Sequence, residues 1–201
     1  MKLYFARTLH SYKACAVARH LELPIDFIEV DMLGGAHKSP EFLRMNPGGR
    51  VPVLFDGKVY IWEANAIMCR LAIAAGSDLW PDGTAQADVM RWLSWDSEHF
   101  KPYAGVFYFE QLIKPNIGLG KPDKAAIEAA TGPFRAAAEI LDNHLADREF
   151  LLGNMLTIAD FAVAVTLPFA NQTYMPMDGF PAVNRWHSRL MELPAWSKPF
   201  R

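Results

Sequence analysis

The chain has 201 residues, of which 51% are hydrophobic, and 22 acidic against 20 basic side chains give a formal net charge of −2. This length and composition exclude a disordered protein and allow two small domains, each with a core. The balanced charge argues against a nucleic-acid-binding protein, which needs a basic surface. The longest uncharged stretch, residues 161–177, is interrupted by Pro168 and Pro176, so no transmembrane helix is expected.

The cysteines and the first residues indicate a cytosolic protein. Charges at Arg7 and Lys13 leave no room for the apolar core of a secretion signal. Cys15 and Cys69 are the only cysteines, and no histidines or cysteines cluster at metal-ligand spacing. We therefore expect reduced thiols, no disulfide and no metal site.

Strand and helix patterns alternate along the first 76 residues. The predicted elements are a strand over 2–6, a helix over 11–22, a strand over 25–31, a helix over 40–45, strands over 51–55 and 58–61, and a helix over 63–75. The first crossover makes its two strands parallel. Asp56-Gly57 predicts a two-residue hairpin turn, and Gly76 ends the last helix. The predicted order is β-α-β-α-β-β-α.

The second part of the chain has no strand signal and follows a Pro/Gly-containing linker over residues 77–84. Prolines 102 and 133 are expected to bend or break the helices that contain them. Thr157 and Asp160 form a carboxylate variant of the capping box, which indicates a structural rather than a catalytic role. The predicted helices cover residues 85–110, 122–146, 157–170 and 181–193.

Four short motifs, in this order and spacing, resemble those of the cytosolic glutathione transferases: Asn46–Leu54, Asp56-Gly57, Glu63–Ile67 and Thr157–Asp160. The resemblance covers essentially the whole chain and is greatest to the phi subgroup and its bacterial relatives. It implies an α+β thioredoxin-like domain over residues 1–76, the linker over 77–84, and an all-α helical-bundle domain over 85–201 that lines the pocket for the electrophile.

The resemblance also implies where glutathione binds. Val51-Pro52 is expected to be a cis pair whose backbone bonds the cysteinyl part of glutathione, whereas a trans proline would simply begin an edge strand. Glu63 would take the γ-glutamyl ammonium, unless it is only a favourable acid at a helix start. The N–H of Ala64 would take the adjacent carboxylate. The family usually has Ser or Thr at this position, so the absent hydroxyl weakens the expected site by about 1 kcal/mol.

Three cations complete the expected glutathione site: His37 and Lys38 in the loop before the short helix, and Arg50 before the Val-Pro pair. In the phi pattern these positions hold the glycine carboxylate of glutathione. Each is otherwise an ordinary surface charge, and a loop histidine such as His37 is commonly only solvated.

Ser11 is the predicted catalytic residue, because it matches the serine of the phi, theta and delta types. A hydroxyl that donates to a thiolate supplies about 1.5–3 kcal/mol, against about 2.7 kcal/mol needed to lower a thiol pKa by about two units. A helix N-cap role is the compatible structural alternative. No Cys-x-x-Cys is present, so dithiol exchange is not expected. His10 and Tyr4 stand near positions that other subgroups use, but Tyr4 falls inside a strand and His10 lies in no motif.

The resemblance implies a glutathione transferase in which the thiolate of glutathione attacks a hydrophobic electrophile, with a possible accessory peroxidase activity and no metal. The alternative is a non-catalytic glutathione-binding or protein-interaction module on the same fold. A homodimer is expected. Aromatic residues at helical spacing more often form a core, but the candidates for the electrophile pocket are Tyr12, His99, Tyr103 and Phe107.

Overall fold

A computed structural model describes all 201 residues, which divide into two compact units. The first unit comprises residues 1–81 together with 193–201, and the second comprises residues 82–192. The last nine residues, which the sequence interpretation places in the helical domain, thus belong to the first unit. None of the helices combines the length and hydropathy that crossing a membrane requires.

The first unit contains a four-stranded sheet with the strand order β2-β1-β3-β4. Strand β1 pairs parallel to β2 and antiparallel to β3, and β3 pairs antiparallel to β4. This topology confirms the predicted order of elements. The elements are β1 Lys2–Phe5, α1 Leu9–His20, β2 Asp26–Glu29, a 3₁₀ turn Ala36–Lys38, α2 Pro40–Met45, β3 Val53–Phe55, β4 Tyr60–Trp62 and α3 Ala64–Ala75.

The turn between β3 and β4 is shifted by one residue from the prediction. Asp56 still pairs with Val59 through its backbone N–H, so Gly57 and Lys58 form the two-residue loop. The side chain of Asp56 accepts the N–H groups of both Lys58 and Val59, each at 2.9 Å. These two bonds make Asp56 the residue before the turn, and Gly57 takes the positive φ of 105°.

The C-terminal segment, residues 193–201, is built into the first unit beside α1. Its short helix α10, Pro194–Ser197, receives a hydrogen bond of 2.6 Å from the Tyr12 hydroxyl to the carbonyl of Trp196. Burial raises the pKa of Tyr12 to about 12, so this hydroxyl keeps its proton at neutral pH. The ring of Phe200 stacks on Phe5, with centroids 5.7 Å apart.

The second unit is entirely helical apart from two isolated β-bridges at 150–155. Its helices are α4 Ala85–Trp95, α5 Lys101–Tyr108, α6 Lys114–Asn116, α7 Lys124–Leu145, α8 Ile158–Val163 and α9 Pro181–Met191, with π-helical turns Asp96–Phe100 and Phe109–Ile113 and a 3₁₀ stretch Ala164–Phe169.

The prolines of the helical unit act differently from one another. Pro102 follows the first π-helical turn and Pro115 follows the second, so the helix is widened just before each proline ring. Pro133 lies inside the continuous helix α7, so of the expected bend or break, no break occurs. Burial of the apolar face of α7, including Phe134 and Leu141, holds the helix together across the missing N–H.

The capping box at the start of α8 is confirmed. The Asp160 carboxylate accepts the backbone N–H of Thr157 at 2.9 Å, the N–H of Leu151 at 2.9 Å and the indole N–H of Trp186 at 3.0 Å. Complete burial nevertheless outweighs these donors and raises the pKa of Asp160 to about 6. The carboxylate joins three separate segments of the helical unit, which is a structural role.

Candidate active site

The first turn of α1 carries the candidate thiol-activating group. Thr8, not Ser11, is the N-cap of α1, because the Thr8 side chain accepts the backbone N–H of Ser11 at 3.3 Å. Ser11 lies inside the first turn and is completely buried. Its hydroxyl oxygen accepts the N–H of Ala6 at 3.4 Å and lies 3.2 Å from the hydroxyl oxygen of Thr8. The N-cap alternative for Ser11 is therefore wrong, and the two hydroxyls form a bonded pair at the helix N-terminus.

The first residues of α3 provide a carboxylate and free amide donors side by side. Glu63 is the N-cap residue and has a φ of 68°, in the region that favours glycine. Its side chain makes no capping hydrogen bond, so the carboxylate does not cap the start of the helix. Ala64, only 3% exposed, begins the free N–H groups of the helix. Glu63 is thus a non-glycine residue in a sparsely populated backbone conformation, which makes it a candidate functional position.

Lys13 is a buried cation that the sequence interpretation does not single out. It is 1% exposed, and its Nζ donates to the side-chain oxygen of Asn65 at 2.7 Å. The bond connects α1, two residues after Ser11, to α3, one residue after Ala64. The surrounding run of small apolar residues, from Ala14 to Ala18, is the one signal that this lysine lies on a buried helix.

The loop before β3 is shaped by a buried asparagine. The Val51–Pro52 bond is cis, as predicted, and Val51 is buried. The Asn46 side chain donates to the carbonyl of Arg50 at 2.7 Å and accepts the N–H of Gly48 at 2.9 Å. These two bonds close the loop of residues 46–50 on itself and fix the approach to the Val-Pro pair.

The loop that carries His37 and Lys38 lies against the loop that carries Arg50. Gly49 has a φ of 58°, and a Cβ atom there would lie 3.2 Å from the carbonyl oxygen of His37. The close approach explains the need for glycine at this position. The Nδ1 atom of His37 is buried without a hydrogen-bond partner. Lys38 and Arg50 are exposed, so both cations are available to an anion.

The candidates for contact with the electrophile occupy different environments. His99 is exposed in the first π-helical turn, and Tyr103 is half-buried on α5. Phe107 is 2% exposed and packs edge-on against Phe134, with ring centroids 5.4 Å apart, so it belongs to the helical core. The hydroxyl of Tyr12 is bonded to the C-terminal segment.

The two cysteines show no sign of reactivity, and the residues present form no metal site. Burial raises the pKa of Cys15 to about 12 and also raises that of Cys69, so both remain thiols at neutral pH. No group of three or more His, Cys, Asp and Glu side chains could hold a metal ion.

Comparison with known proteins assigns both parts of the chain to one protein family. Residues 1–72 match the family model of the glutathione S-transferase N-terminal domain, and residues 124–189 match that of its C-terminal domain. Glutathione S-transferase 3 of Zea mays is 32% identical over 193 residues, which cover 92% of this chain and 86% of the maize protein. Human glutathione S-transferase theta-2 is 31% identical over 173 residues, covering 84% of this chain and 70% of the human protein.

Solved structures of glutathione S-transferases have a similar fold over nearly the whole chain. A possible glutathione S-transferase from Rhodopseudomonas palustris has a TM-score of 0.85 at 33% identity and covers 96% of this chain and 95% of its own. Glutathione S-transferase I bound with lactoylglutathione has a TM-score of 0.89 at 25% identity, covering 98% and 97%. The two matched domain models and the maize relative together show that this chain belongs to the glutathione S-transferase family.

Proposed function

We propose that this family member is a working glutathione transferase whose first unit binds glutathione and activates its thiol. The thiol loses its proton to water, and the thiolate sulfur then attacks an electrophilic carbon of a hydrophobic substrate. A carbon–sulfur bond forms and the leaving group departs with its electron pair. The protein contributes orientation and stabilisation of the thiolate.

The start of α3 is the observation that carries this proposal. It sets the unused Glu63 carboxylate directly beside the free N–H groups that begin at Ala64. An α-amino acid end, with one ammonium and one carboxylate on a single carbon, needs this combination of an acid and amide donors. The γ-glutamyl end of glutathione has that chemistry.

The opposite end of glutathione, its glycine carboxylate, is assigned to His37, Lys38 and Arg50. The contact between the two loops at Gly49 supports a shared role for these cations. The backbone of Val51, before Pro52, is assigned to the cysteinyl part. Thiol activation is assigned to the hydroxyl of Ser11, which lies at the start of a helix with no acidic residue in its first turn.

His99 and Tyr103 are proposed to contact the electrophile, since their side chains are not enclosed in the helical core. The buried environment of Phe107 favours a packing role instead. Reduction of peroxides is a further activity that the same thiolate could support, and it is included in the test below.

Binding to immobilised glutathione, followed by assays with aryl halides and peroxides, tests the proposal. We expect retention on the matrix and turnover of at least one electrophile. Retention without turnover would favour a binding module, the alternative that the transferase names of the relatives do not favour. Absence of retention would refute both.

We also propose that the protein is a homodimer that works in the cytosol, where reduced cysteines such as Cys15 and Cys69 persist. The outer face of α3 supports an interface, because Ile73 is 56% exposed there and Trp62, just before the helix, is 48% exposed. Sedimentation at micromolar concentration should give a dimer, and Ile73→Glu should give monomers. A monomeric wild-type protein would contradict this proposal.

A further inference from the structure

The hydroxyl of Ser11 is not accessible to a bound thiolate in this conformation. Ser11 has no exposed surface, whereas Thr8, whose hydroxyl oxygen lies 3.2 Å away, is only half-buried. The two hydroxyls are hydrogen-bonded to each other, so a charge that binds to one of them also polarises the other.

We propose that Thr8 is the catalytic residue whose hydroxyl donates to the thiolate of glutathione, and that Ser11 is the positioning residue behind it. The inference rests on the proposed glutathione transferase function and names the atom that touches the sulfur. It changes the role of Ser11 from direct contact to orientation of Thr8.

Thr8 is the donor of the hydroxyl pair. The Thr8 hydroxyl donates to Ser11 Oγ at 3.2 Å, and Ser11 Oγ also accepts the N–H of Ala6. Hydroxyl protons rotate to suit their partners. Because Thr8 is only half-buried, its proton can turn from the neutral Ser11 oxygen to an anion outside, and a hydrogen bond to a charged acceptor is the stronger of the two.

The position of Thr8 suits an anion. Thr8 is the N-cap of the twelve-residue helix α1, whose first turn contains no acidic side chain, so the positive end of the helix is not cancelled locally. Of the charged neighbours, Arg7 pairs with Glu29 at 3.6 Å, and His10 follows in the same turn. The Thr8→Ser variant keeps the hydroxyl beside the same neighbours, so comparing it with Thr8→Val isolates the effect of the hydroxyl.

Thr8→Val and Thr8→Ser test the inference, because valine keeps the shape and removes the hydroxyl, whereas serine keeps it. The readouts are the ultraviolet absorbance of the thiolate in the glutathione complex as a function of pH, and kcat and KM for glutathione. Thr8→Val also loses a helix cap. Asp123→Ala is the matched control, since it removes the cap of α7 in the other unit and touches no group assigned to binding.

In Thr8→Val we expect kcat/KM at neutral pH to fall about tenfold to hundredfold, the thiol to titrate at higher pH, and KM for glutathione to change little. Thr8→Ser should restore most of the activity. Ser11→Ala should lose about threefold to tenfold, and the double variant should be no worse than Thr8→Val alone. Asp123→Ala should be less stable with an unchanged thiol titration.

The inference would be overturned if the thiol titrates at the wild-type pH in Thr8→Val but at higher pH in Ser11→Ala. The contact with the sulfur would then return to Ser11. The wild-type protein separates this failure from failure of the proposed function. If the wild type binds glutathione and lowers the thiol pKa, the function stands and Thr8→Val decides the inference. If the wild type does neither, the proposed function fails first.

Discussion

Ala64→Ser should increase the affinity for glutathione, which is an unusual expectation for a substitution in a binding site. The resemblance to the glutathione transferases implies a hydroxyl at this position, and here the side chain is a methyl group at the first residue of α3. A serine would add one oxygen beside the amide donors and give the γ-glutamyl carboxylate an additional hydrogen bond. The backbone need not move, since the N–H groups are already free.

The structure sets the size of the effect. Asn65, the neighbouring residue that could replace the missing hydroxyl, uses its side-chain oxygen to accept the ammonium of Lys13 at 2.7 Å. Its amide group is therefore held in place by that bond. One additional hydrogen bond to a carboxylate, less the cost of fixing the serine rotamer, is worth about 1 kcal/mol. That corresponds to a roughly fivefold lower dissociation constant for glutathione.

Titration calorimetry with glutathione measures the change directly. KM for glutathione should fall by a similar factor and kcat should stay the same, because the added bond forms equally in the ground state and the transition state. Ala66→Ser is the matched control, since Ala66 lies two residues later on the exposed face of α3. Unchanged or weaker binding by a folded Ala64→Ser protein would refute the placement of the carboxylate at Ala64.

The features that the sequence predicts well depend on short-range interactions. The capping box of Thr157 and Asp160 is determined by residues three positions apart, so its pattern is visible in the sequence. The cis Val51–Pro52 pair is expected from the resemblance carried by the surrounding motif. The order of elements in the first unit follows from the alternation of apolar runs. The predicted turn at Asp56 is one residue early because its side-chain bonds to Lys58 and Val59 compete with the simple two-residue pattern.

The features that the sequence does not predict depend on distant residues. The bond from Tyr12 to the carbonyl of Trp196 joins residues 184 positions apart, so no local pattern assigns the last nine residues to the first unit. The burial of Ser11 and the assignment of Thr8 as N-cap follow from where β1 ends, which sequence patterns define only within a few residues. Pro133 stays inside α7 because tertiary packing outweighs its local cost.

Three further outcomes are expected. Glu63→Gln should raise the dissociation constant for glutathione about tenfold or more by removing the charge that we propose faces the ammonium, as calorimetry would show. Tyr12→Phe should lower the free energy of unfolding in urea by about 1 kcal/mol, whereas Ser197→Ala, on the same C-terminal helix, should change it less. The last concerns Asp160, whose pKa is raised by burial from the ordinary aspartate value of 3.8 to about 6 in the fold. Because the folded state then holds a proton that the unfolded chain releases, stability should fall as pH rises from about 4 to about 6, by about 3 kcal/mol over the two pKa units. Asp160→Asn cannot titrate, so urea unfolding of this variant should lack that decrease; an equal decrease in both proteins would show that another group is responsible.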